Sequence, residues 1–279
     1  MIAFVFEKFK ELRINNNMRP YPSPVWALFL VFASSNIFEC SGYNVAGISV
    51  HKVPLYSFNS DNNQQPPYCF AASSSLDMMG DPSINFLASQ VWPSARVAAS
   101  ALERYKEMVC LGTVCEFGCG PGLPSITAAK LGCKKVFATD LDEFALKLVD
   151  HASHEQGLGS VIQTERLDIT APMEVPGSHE AGSIKIPEAD IYLFSDIFES
   201  SQVAAGVARV SKHILSNDDS AMVWVFAQSD RACREDFLRE MRQLLDDPNL
   251  DWLQLEEFES RPNKRLFLCN LDETKVQYA

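Results

Sequence analysis

Residues 113–124, Thr-Val-Cys-Glu-Phe-Gly-Cys-Gly-Pro-Gly-Leu-Pro, constrain what this chain can fold into more than any other stretch. A short, largely apolar run, Thr113–Phe117, ends at three glycines on alternate positions, Gly118, Gly120 and Gly122. Such a run predicts a buried parallel strand. Alternating glycines let the main chain turn sharply and approach a ligand that a Cβ would hold off. Pro121 and Pro124 are tolerated only at the beginning of a helix, so the next helix starts close to Leu123. Strand, glycine turn and helix N-terminus in that order form the junction at which open α/β sheets bind ligands.

The alternation continues downstream. Lys135–Thr139 predicts a second strand, and Leu141, Phe144, Ala145, Leu148, Val149 and Ala152 fall on one buried helical face. Val161–Leu167 and Ile191–Ser195 predict two more strands. Val203, Val207, Val210 and Ile214 mark a helix, Ala221–Ala227 a fully buried strand, and Phe237, Leu238, Met241, Leu244 and Leu245 another amphipathic helix. Ahead of the glycine turn, Trp92-Pro93 introduces an alanine-rich helix over Ser94–Lys106. Near the end, Leu253–Glu259 and Arg265–Asn270 flank Arg261-Pro262-Asn263, which predicts an antiparallel pair. Strands alternating with helices give a mostly parallel sheet covered on both faces, a doubly wound α/β domain.

Residues 1–65 fit none of this and are expected to be a disordered or targeting extension, leaving 66–279 as the folded domain. Val25–Ala33 holds nine apolar residues, against the roughly 20 that span a membrane. Read from Met18, a basic Arg19, this apolar core and the small residues Ala33, Ser34 and Ser35 have the layout of a secretory signal. These signals leave the compartment open between cytoplasmic and, where the segment acts as a targeting signal, organellar. A Ser/Asn-rich run ending in Gln64-Gln65-Pro66-Pro67 reads as a linker. The net charge of −12 argues against a nucleic-acid partner. Eight cysteines show no C-x-x-C spacing, and His151 and His154 share a helical face without further ligands nearby, so no metal site is expected.

The ligand at the glycine turn can be narrowed by elimination. A dinucleotide fingerprint places its third glycine where this chain has Leu123, and a phosphate loop's Gly-Lys-Ser/Thr is absent. What stands here is an acid two residues ahead of three alternating glycines, Glu116-x-Gly118-x-Gly120-x-Gly122. The second strand ends at Asp140, eighteen residues past Gly122, where a carboxylate can accept both hydroxyls of a ribose. Asp142 is its rival, better suited to capping the helix that follows. Asp168-Ile169 closes the third strand and Ser195-Asp196 the fourth. Cys115 and Cys119 read as small packing residues.

These motifs resemble the seven-strand S-adenosylmethionine-dependent methyltransferases, and more narrowly methyltransferase family 16, the lysine methyltransferase-like group. The resemblance covers about Ser89 to Asn270 and implies a seven-stranded, Rossmann-like sheet with an antiparallel C-terminal strand. It also implies S-adenosyl-L-methionine as cofactor, held by Trp92, Glu116, Gly118, Cys119, Gly120, Gly122, Asp140, Asp168, Ile169 and Ser195. Asp196 is the first candidate to orient or deprotonate an amine acceptor, and Glu199 the second; the bland alternative makes Asp196 a helix cap. Two departures stand out: Asp196-Ile197-Phe198-Glu199 replaces the group's D-x-x-Y, and Ile169 replaces a tryptophan. The loop Pro172–Ala189 could cover the acceptor. The expected activity is N-methylation of a protein lysine, with a small-molecule N- or O-methyltransferase or a non-catalytic cofactor-binding module as alternatives.

Overall fold

Valines, phenylalanines and a tryptophan alternate between two sheet faces in the strands that follow the glycine turn, and both faces are covered. The computed structural model describes residues 43–55, 65–73, 85–174, 182–253 and 265–271. The main sheet consists of β4 (Thr113–Phe117), β5 (Lys135–Asp140), β6 (Ile162–Arg166), β7 (Ile191–Ser195), β8 (Met222–Gln228) and β9 (Leu266–Leu271), in the order β6-β5-β4-β7-β8-β9. Every pairing in it is parallel. Val114, Val136, Leu193, Trp224 and Phe226 pack with α1 (Pro93–Arg104), α2 (Leu123–Lys130) and α3 (Glu143–Glu155). On the other face Phe117, Phe194, Val223 and Val225 pack with α4 (Ser201–Asn217) and α5 (Arg234–Leu245). The sheet order reverses beside β4, so the β4–α2 turn opens at the switch point where such sheets bind ligands.

Two sequence expectations are corrected. The first concerns the seven-stranded sheet with an antiparallel last strand: the described residues give six strands, and β9 runs parallel to β8. Leu253 meets Cys269 through a parallel bridge instead of starting a hairpin. The tight turn read from Arg261-Pro262-Asn263 falls on residues that lie outside the described ones.

The second correction concerns residues 1–65, of which Tyr43–Leu55 belong to the fold. β1 (Tyr43–Val45), β2 (Ile48–Pro54) and β3 (Tyr68–Ala72) form a separate antiparallel sheet. Ile48, Val50 and Phe70 join the core on the α3 side, while Val53, Leu55 and Cys69 pack with Ala99 and Leu123. The Ala46-Gly47 turn has positive φ at both residues, 50° and 87°, as a two-residue hairpin requires. A compositional reading overlooked the period-2 burial of Ile48-Ser49-Val50-His51. The signal-like segment Val25–Ala33 lies outside the described residues; among the described ones no helix is long and apolar enough to cross a membrane.

Candidate active site

The glycine turn is built as its spacing demands, for two reasons. Gly118, Gly120 and Gly122 all have left-handed backbone, with φ of 61°, 50° and 74°, a conformation that penalises any Cβ. Two of them also make room for the protein's own side chains. A Cβ on Gly118 would stand 2.4 Å from Ile197 Cγ2, and one on Gly122 2.6 Å from Val149 Cγ2. At Gly120 the neighbour is the Ala88 carbonyl, 3.2 Å away. Gly122 occupies the N-cap of α2 and has no side chain to cap it. Glu116 supplies the missing carboxylate: its Oε2 accepts from the Ser125 amide at 3.0 Å and from the Ser125 hydroxyl at 2.5 Å. Ser195 donates to its other oxygen at 3.4 Å. Burial pushes the Glu116 carboxyl up to about 8 against the pull of these hydrogen bonds.

Asp140 faces the turn. Its carboxylate accepts from the Gly120 amide at 2.8 Å and from the Asp142 amide at 2.9 Å. Burial raises this carboxyl above the usual range. Asp142 is the cap of α3, accepting from the amides of Phe144 and Ala145. It also takes the Asn85 amide at 3.0 Å. Cys115 and Cys119 are buried, with thiols held well above their ordinary value by desolvation, so they pack rather than react. Cys119 serves the turn through its backbone, donating to the Thr139 carbonyl at 3.0 Å.

After β6, the Asp168 carboxylate accepts from the amide and the hydroxyl of Thr170, at 2.9 and 2.7 Å. The turn that begins there is clamped by α4. Arg209 Nη2 donates to the carbonyls of Ile169, Thr170 and Ala171 at 3.1, 3.2 and 3.0 Å. One helical turn earlier, a Cβ on Gly206 would meet the Ile169 oxygen at 2.5 Å.

At the end of β7, Asp196 is left-handed, φ 61°, and its side chain is 0% exposed. It does not cap α4; Ser200 does, accepting from the Val203 amide. Arg231 grips Asp196 with two bonds, Nε to Oδ1 at 2.6 Å and Nη2 to Oδ2 at 2.5 Å. Gln228 donates to Oδ2 at 2.8 Å. The Arg231 guanidinium lies 4.7 Å from the centre of the Trp92 ring, whose indole N–H donates to the Leu87 carbonyl at 3.0 Å. Glu199 is exposed at the rim. Its carboxyl is raised by desolvation first, then by the nearby charges of Asp140 and Asp196, against the opposing pull of Arg231.

The fold thus brings Trp92, the glycine turn, Asp140, Ser195, Asp196 and Glu199 to one sheet edge, with the Asp168-Ile169 turn at the end of β6. Sequence reasoning missed Arg231, Gln228, Arg209 and Ser125. The first two carried a signal, because Gln228-Ser229-Asp230-Arg231 is the polar end of the fifth strand at that same edge. Among the described residues no group of three or more His, Cys, Asp or Glu side chains is placed to hold a metal.

Fold and glycine turn are similar to those of the Rossmann-like class of S-adenosylmethionine-dependent methyltransferases. Within that class, the family described as "Ribosomal protein L11 methyltransferase (PrmA)" matches residues 91–181. A protein named ribosomal protein L11 methyltransferase from Oceanobacillus iheyensis is 40% identical over 80 residues, covering 29% of this chain and 24% of that protein. Its namesake from Clostridium botulinum (strain Eklund 17B / Type B) is 36% identical over 88 residues, 32% of this chain and 26% of its own. The chain spans about a quarter of the length of these curated relatives. A crystal structure of Trm5b from Pyrococcus abyssi aligns with 74% of this chain and 48% of its own, at TM-score 0.42 and 15% identity.

Proposed function

We propose that this protein is an S-adenosylmethionine-dependent methyltransferase that N-methylates a lysine of a protein substrate. The observation that carries the reading is the left-handed glycine turn at the β4 end with the Asp140 carboxylate 2.8 Å from the Gly120 amide. Bare main chain beside a strand-end carboxylate suits a nucleoside whose ribose offers hydroxyl donors. The relatives named for a ribosomal protein support a protein acceptor, and a chain of net charge −12 favours a basic one. The narrower kinship with methyltransferase family 16 rests on the glycine turn, the strand ends at Asp140, Asp168 and Asp196, and Trp92-Pro93, which stand at the N-cap and first turn of α1.

The bound cofactor supplies an activated methyl group on a sulfonium. The protein aligns the acceptor and excludes water rather than providing strong acid or base. Gly118–Gly122, Cys119 through its backbone, Asp140, Asp168, Ile169 and Ser195 would hold the cofactor, with Trp92 lining the pocket. Glu116 acts indirectly by bracing α2 against β4. Glu199, whose carboxyl is raised, suits the task of taking the proton from the acceptor amine. Asp196, tied to Arg231, suits orientation and charge balance. This division of labour departs from the D-x-x-Y pattern by putting a carboxylate where the tyrosine would stand.

The test is radiolabelled methyl transfer into cell extract, with protein and small molecules separated. Label is expected in protein and is lost with Gly120→Arg. Label confined to small molecules would favour a small-molecule acceptor, and label unaffected by Gly120→Arg would remove this site from the reaction.

A further inference from the structure

We propose that Arg231 is a resident occupant of the acceptor subsite, a cation of the protein's own that a cationic acceptor side chain displaces. The inference rests on the methyltransferase reading and adds what selects entry to the same site. An aromatic face and a carboxylate converging on one point are the chemistry that recognises an alkylammonium or guanidinium. Here that point is filled: the Arg231 guanidinium lies 4.7 Å from the Trp92 ring centre and takes both Asp196 oxygens. Asp196 is held to the task by a left-handed backbone that an aspartate adopts only at a cost. Its remaining bond comes from Gln228, which is buried.

Arg231 reaches this place from outside. It sits in the short turn between β8 and α5, and its side chain keeps 27% exposure while the Asp196 side chain has none. Its backbone is fixed by ordinary turn bonds, with its amide on the Gln228 carbonyl and its carbonyl on the Arg234 amide. Leaving therefore needs only side-chain rotation. Besides Asp196, the charges of Asp230 and Glu199 favour the charged guanidinium. The energetics make the exchange selective. A buried carboxylate stripped of its cation is strongly disfavoured, so a neutral hydroxyl cannot take the place of Arg231. An incoming ammonium can, because Asp196 and the Trp92 face then trade one cation for another.

The experiment uses the full chain with arginine side chains labelled with nitrogen-15, and n-butylammonium and 1-butanol as probes, with S-adenosylhomocysteine present. Butylammonium is expected to bind and to shift the Arg231 Nε–H resonance, assigned by its loss in Arg231→Lys. Butanol is expected to do neither. Arg231→Lys keeps a cation but grips one oxygen at a time, so it should bind butylammonium about tenfold more tightly. Equal or weaker binding by the variant would make Arg231 a fixed wall and overturn the proposal. So would an unmoved Arg231 resonance at saturation, or butanol binding as well as butylammonium; the comparison of butanol with butylammonium uses the wild type alone and stands even if the variant folds poorly. Calorimetry with S-adenosylmethionine on the same samples separates the two readings. Cofactor binding with an unmoved Arg231 sinks the exchange alone, whereas failure to bind cofactor sinks the methyltransferase reading.

Discussion

Two cation–aromatic clusters in this molecule use the same parts and differ in one respect. On the small sheet, Lys52 Nζ lies 4.8 and 4.3 Å from the ring centres of Tyr43 and Tyr68 and pairs with Glu155 of α3 at 2.5 Å. At the glycine edge, Arg231 lies over Trp92 and pairs with Asp196. The side chains of Lys52 and Glu155 are 32% and 31% exposed, whereas that of Asp196 is fully enclosed. Water can stand in for a lost partner in the first cluster and cannot in the second. The first is a staple between β2 and α3. The second is a committed charge pair that only another cation can replace.

The largest effect that would break this contrast is removal of the enclosed cation. Arg231→Ala should cost about 3–5 kcal/mol in chemical denaturation, and Asp196→Asn combined with Arg231→Met should recover most of it, because no bare charge then remains buried. A loss below about 1 kcal/mol would place the two clusters in one category.

Glu116 sharpens the comparison, being a buried carboxylate with amide and hydroxyl partners but, among the described residues, no cation. Its folded value of about 8 lies above the ordinary 4.5, so the folded state holds the proton longer than the unfolded chain. Its contribution to stability is thus full below about 4.5 and is lost as pH rises through about 8. Glu116→Gln should flatten the stability–pH curve across that window; an unchanged curve would show that Glu116 ionises normally.

Gly118→Ala should cost about 2–4 kcal/mol, from left-handed strain plus collision with Ile197, the neighbour of Asp196. Cofactor affinity, measured by calorimetry, should fall with it. Asp142→Ala removes the cap of α3 and should cost about 1–2 kcal/mol in the same denaturation assay. The smallest effect is expected at Lys52→Gln, under about 1 kcal/mol after allowance for solvent screening and shrinking further in salt. A salt-independent loss of several kcal/mol there would contradict the staple.

What could be read in advance follows the range of the interaction. β4 and β7 lie where the sequence put them, and α2 begins at Leu123, because apolar runs, glycines and prolines act locally. Asp140 was legible as the acid at a strand end, and Asp142 as a cap. The partners of Arg231 and Arg209 were not. Each arginine acts on a partner 35 or about 40 residues away, and nothing local to either marks that partner. The parallel course of β9 was equally hidden, since a turn-rich tripeptide does not say whether the chain crosses over or folds back.

The sequence by itself determined the alternation of strand and helix, the glycine turn at its first crossing and the carboxylate that faces it, because steric and periodic rules fix these within a few residues. Tertiary structure alone decided that Tyr43–Pro54 join the fold, that Glu116 braces a helix, and that Asp196 is already holding a cation. Those outcomes depend on which side chains meet and how much water is left between them, and burial is a property of the assembled chain.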